Sequence, residues 1–208
     1  MQWYYWLAIA SLAICLTGCM YHFIRLVKLG KPREYSKRSG NPAAGIIYSF
    51  TKAMNPATKE SAYLNMPVYV SGVIYHLGTF LAIALFFVFF ITTGIKDIIA
   101  HTLALLMIVS AACGTGILIK RIIDKKLRLL SSPDDYISNI LVTGFQAATA
   151  IVLLLPAAYP VYIIITSLLL LYMPLGKLKH AVYFFAARYH IGYFYGWRNV
   201  WAEAKHKQ

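Results

Sequence analysis

Two histidines carry the chemistry that this sequence suggests. His76 lies inside the second of five apolar blocks, about three turns from one end of it. His180 closes the fifth block, in the run Met173-Pro174-Leu175-Gly176-Lys177-Leu178-Lys179-His180. Two neutral imidazoles facing each other across a helical bundle can supply both axial ligands of a haem iron. A plainer reading stands beside this one. His76 bonds across to a neighbouring helix, as intramembrane polar groups often do, and His180 is interfacial. Spacing alone leaves both open.

The other candidates are weaker. His22 follows Cys15 and Cys19 at helical spacing; a metal site there competes with thiols that simply pack on an apolar face. His101, near Lys96 and Asp97, is either a solvated interfacial residue or part of a quinone pocket. His190 and His206 belong to a basic tail and read as solvated. Cys113-Gly114-Thr115-Gly116 reads as close helix packing, because no strand precedes it to build a phosphate loop. No CxxC occurs, so neither a disulfide framework nor an iron–sulfur cluster of the chain's own is expected. The apolar blocks lack the interior carboxylates and amines of an ion pump or transporter.

The elements that must position these residues are long and apolar. The blocks run from about Trp3 to Val27, Pro67 to Thr92, Ile98 to Ile119, Ile137 to Leu155 and Val161 to Leu178. With 60% hydrophobic and only 13% charged residues, the chain is neither disordered nor composed like a soluble domain. About 20 apolar residues in a helix cross the ~30 Å hydrocarbon layer with every backbone group satisfied. The expectation is therefore an all-α integral membrane bundle of five transmembrane helices, forming a single domain over residues 1–208.

Charge sets the expected orientation. Of the 20 basic residues, all but Lys96 fall in the loop of about 28–66 and its flanks, in the Lys120 to Arg128 loop, or in the tail of about 181–208 and the run before it. The positive-inside rule places that side in the cytoplasm, which puts the N-terminus outside and the C-terminus inside a multi-pass protein of the cytoplasmic membrane. The same distribution argues against nucleic acid as the partner for the net +13 charge, since few soluble residues remain to build a groove. Ser132-Pro133-Asp134-Asp135 reads as the start of the fourth helix, and Ala157-Ala158-Tyr159-Pro160 as a tight turn into the fifth. Tyr48, Phe50 and Met54 suggest a short interfacial helix in the first loop. Leu16-Thr17-Gly18-Cys19 has the form of a lipoprotein cleavage box, but the start Met-Gln-Trp-Tyr-Tyr-Trp lacks the positive charge of a signal peptide. The tail aromatics Tyr189, Tyr193, Phe194, Tyr195, Trp197 and Trp201, among basic residues, read as a docking surface for a soluble subunit. Attraction to anionic membrane lipid accounts for part of that charge.

Three features together have a familiar form: Val73-Ile74-Tyr75-His76-Leu77-Gly78, a basic run leading into an acid-capped fourth helix, and the Pro-Leu-x-Lys-Leu-x-His element ending in His180. Across helices two to five the chain resembles the membrane cytochrome b subunits of the respiratory nitrate reductase gamma family, which includes the membrane subunits of heterodisulfide-reductase-like complexes. The resemblance implies a haem b held by His76 and His180. That family uses a second, outer haem, whose ligand positions match Phe86 and Tyr162 here; neither is a histidine, so one haem is expected. The implied role is electron transfer between membrane quinone, menaquinone or similar, and a cytoplasmic iron–sulfur or flavin subunit. The competing expectation is a haem-free anchor for a soluble enzyme. With the outer haem missing, the quinone is expected near the membrane middle or inner side, against His22, Tyr75 or Tyr172. His101 and Tyr162 form the outer alternative.

Overall fold

The computed structural model describes residues 2–29, 35–55, 65–92 and 95–200, and these are all helix, turn and loop, with no strand among them. In chain order the α-helices are α1 (Trp3–Leu29), α2 (Pro42–Phe50), α3 (Met66–Ile91), α4 (Asp97–Ile123), α5 (Lys125–Leu129), α6 (Pro133–Leu154), α7 (Tyr159–Tyr172) and α8 (His180–Arg198). Helices α1, α3, α4 and α6 are each long and apolar enough to cross a membrane. The fifth block is a broken pair, Pro156–Tyr172 followed by Lys177–Arg198, which passes the same test only when taken together. The expected five spans are thus four continuous helices and one interrupted one. The interruption falls at Met173 to Gly176, where Pro174 has no N–H to continue the α ladder.

Local sequence accounts for the helix ends. At the start of α6 the Ser132 backbone N–H donates to Asp135 Oδ2 at 2.8 Å, and the Ser132 hydroxyl donates to the same oxygen at 2.9 Å. With Pro133 in the first turn, this is the start that the Ser-Pro-Asp-Asp run leads one to expect. The expected short helix in the first loop is α2. It is capped by Asn41, whose side-chain oxygen accepts from the Ala43 and Ala44 amides at 3.0 and 3.4 Å. α8 stops at Asn199, which adopts the left-handed conformation (φ 54°) that asparagine tolerates better than most residues.

The chain divides into two compact units. The first comprises residues 1–17 and 66–178. In it α4 packs against α3 and α6, and α7 against α6. Its core mixes small residues (Ala8, Ala82, Ala104), which let helices approach closely, with the larger Met107, Phe145, Tyr162 and Ile163. The second comprises residues 18–65 and 179–208, and its centre is the packing of α2 on α8. Glycines make that packing close. A Cβ on Gly192 would lie 2.5 Å from Ile46 Cα and 2.8 Å from the Gly45 carbonyl oxygen, so the two backbones touch. Of the basic loop and tail, Lys31, Arg33, Lys59, Trp201 and His206 lie outside the described residues.

Candidate functional site

The first unit has a polar centre among its apolar helices. Gln146 of α6 is fully buried. Its amide nitrogen donates to the Tyr75 carbonyl at 2.9 Å and to Thr79 Oγ1 at 2.8 Å, and its oxygen accepts from Ser110 Oγ of α4 at 3.0 Å. One turn earlier on α6, Thr143 Oγ1 lies 3.1 Å from the Tyr75 hydroxyl, which also donates to the Asn139 carbonyl at 3.2 Å. Three helices are therefore tied together at the backbone of Ile74 and Tyr75, immediately before His76. Glycine makes room for this: a Cβ on Gly78 would land on the Ser110 side chain. Reading the sequence missed Gln146 and Ser110. The signal was a polar stripe on α6, Asn139, Thr143 and Gln146, at helical spacing within an apolar block.

Beside that centre His76 faces the other way. Its side chain is exposed on α3, on the stripe that also exposes Val73, Leu77 and Phe80. Gly72, one turn before it, has open space where a Cβ would stand. The imidazole thus borders an exposed apolar surface. His180 is the first residue of α8 and is also exposed. Each imidazole has the chemistry of a haem axial ligand; His76 belongs to the first unit and His180 to the second. Groups of three or more His, Cys, Asp or Glu placed to hold a metal ion do not occur among the described residues. Phe86 and Tyr162 are core residues, 3% and 1% exposed. Tyr162 is packed between Phe89 and Phe145, at ring distances of 5.5 and 6.1 Å.

The residues considered for quinone contact separate into two groups. Tyr75 is committed to the polar centre. The Tyr172 hydroxyl donates to Asp134 at the start of α6. His22, in the second unit, lies edge-on to Tyr183 with its Nδ1 3.5 Å from the tyrosine hydroxyl. His101 instead lines a cavity of about 350 Å³ at the opposite end of the first unit from Asp134, with Tyr4, Tyr5, Phe89, Asp97 and Tyr159 around it. Its Nδ1 is 2.6 Å from the Asp97 carbonyl oxygen. The hydroxyls of Tyr159, which lines the cavity, and of the nearby Tyr162 are buried without a hydrogen-bond partner among the described residues. Sequence reading named His101 and Tyr162 but not Tyr159.

Comparison with known protein families, with curated proteins and with solved structures gives no match.

Proposed function

We propose that this chain is the membrane-embedded b-type cytochrome subunit of an electron-transfer complex. It would pass electrons between membrane quinone and a cytoplasmic iron–sulfur or flavin subunit, from a multi-pass position in the cytoplasmic membrane. The observation that carries the reading is His76. An imidazole on the exposed apolar face of a span, where hydrocarbon would otherwise cover it, is costly unless the span needs it there. The resemblance of the His76 and His180 segments to the nitrate reductase gamma family supports the same assignment. A bound haem would supply the one-electron chemistry. The chain itself would supply two imidazoles, an apolar flank beside Gly72, and a polar centre that fixes the rotation of α3 at the residue before His76.

The test is a visible spectrum of the purified chain, oxidised and reduced, with a pyridine haemochrome assay per mole of protein. One haem per chain and a low-spin bis-histidine signal are expected. His76→Ala and His180→Ala should each remove most of the haem, because loss of one axial ligand removes much of its anchoring. A purified, folded chain without a Soret band would favour the haem-free anchor.

A further inference from the structure

We infer that the second unit is a lipid-binding element whose basic and aromatic face takes the headgroups of anionic phospholipid. Charge is the first ground. The described residues of this unit include eight basic side chains, Arg25, Lys28, Lys37, Arg38, Lys52, Lys179, Arg188 and Arg198, and no carboxylate side chain. In the first unit the picture differs, and Asp135 pairs with both Arg121 and Lys177, at 3.3 and 2.6 Å. The described part of the second unit is thus strongly and uniformly positive, and its electrostatic complement is a negative surface.

The second ground is where those cations sit. Arg198 lies 3.7 Å over the Phe194 ring and Arg188 5.7 Å from the centre of the Phe184 ring, and both rings are themselves exposed. Arg38 stands 5.9 Å from the Trp197 ring. Phe184, Arg188, Ile191 and Arg198 recur at spacings that bring them to one side of α8, with Phe194 on its flank. Another side is closed by Gly192 and Gly196 against α2. A guanidinium held over an exposed ring suits the headgroup layer, where the ring enters the acyl boundary and the cation stays at phosphate depth. The inference is independent of the haem reading, because it uses neither His76 nor His180.

The test uses the full chain with Trp3→Phe and Trp6→Phe, so that the remaining tryptophans, Trp197 and Trp201, both belong to this unit. The protein in detergent is titrated with brominated phosphatidylglycerol or brominated phosphatidylcholine, and tryptophan quenching is read. Half-maximal quenching should come at a phosphatidylglycerol concentration roughly tenfold below that for phosphatidylcholine. In Arg188→Gln/Arg198→Gln it should move up by about the same factor, since each cation near the surface contributes to anionic-lipid attraction. Arg188→Lys/Arg198→Lys keeps the charge and should keep the preference, which separates lost attraction from a misfolded helix. Equal quenching by the two lipids overturns the proposal, as does a preference that survives in the glutamine pair. Equal quenching together with loss of an acidic soluble subunit from the purified glutamine pair would reassign the face to a protein partner.

Discussion

Gln146 shows how much one uncharged side chain can hold in place inside an apolar bundle. Its three hydrogen bonds join α6 to α3 and α4, and its neighbours retain other acceptors: Thr79 Oγ1 donates to the Tyr75 carbonyl at 2.8 Å, and Ser110 Oγ to that of Ile74 at 3.2 Å. Replacing it with leucine, which keeps the volume, should therefore destabilise by only about 1–2 kcal/mol, the range of intramembrane hydrogen bonds. Gln146→Ala removes the same bonds and leaves a cavity, which adds about 2 kcal/mol. Thermal unfolding in detergent should rank wild type above leucine above alanine; equal losses in the two variants would mean that packing contributes nothing here. His76 was legible in the sequence because a lone ionisable group in a span stands out against its apolar neighbours. Gln146 was less so: the polar stripe Asn139, Thr143 and Gln146 marks its face of α6, but its partners include a backbone carbonyl of another helix, which no spacing within α6 reveals.

Among the elements, the short helix α2 depends most on contacts that hydropathy cannot see. Nine residues are too few to hold a helix alone, so α2 is stable through its packing on α8. That contact runs through Gly45, Gly192 and Gly196, where the nearest atoms to an added Cβ are backbone and cannot turn aside. Gly192→Leu should therefore detach α2, at a cost of about 3 kcal/mol by overpacking, while leaving the polar centre of the first unit intact. Hydrogen exchange should show protection lost over 42–50 and retained over 139–146; unchanged protection over 42–50 would refute it. The interrupted fifth block is a second limit on sequence reading. An apolar run to Leu178 reads as one helix, yet α7 ends at Tyr172. The turn beyond Tyr172 is held by side chains as well as backbone: Tyr172 on Asp134, Lys177 on Asp135, and the Gly176 amide on the Tyr172 carbonyl at 2.9 Å. Within this turn Pro174 and Gly176 are buried and Leu175 is exposed.

At the scale of the whole molecule, the packing of α2 on α8 decides how many times the chain crosses. α2 belongs to the loop after the first span, and α8 follows the fifth block. Their backbones touch, so loop and tail lie on the same side of the membrane. Spans α3, α4 and α6 alone would carry the chain across three times and leave α8 opposite α2. On that count the fifth block would supply a fourth crossing. α7 by itself is too short: its 14 residues rise about 21 Å, against a hydrocarbon layer of ~30 Å. The crossing would be completed by the turn at Met173 to Gly176, where Pro174 and Gly176 are buried and Leu175 is exposed, and by the residues beyond it. Basic charge supplies only the sequence-based expectation for the sign: 13 of the 20 Lys and Arg residues belong to the second unit, and the positive-inside rule predicts a cytoplasmic position for such segments. Reporter fusions after Met54, after Arg128 and after Asn199 should all report the cytoplasm, and one at Lys96 the outside. A fusion after Asn199 that reports the side of Lys96 would mean that the fifth block turns back without crossing, and would be incompatible with the contact between Gly45 and Gly192.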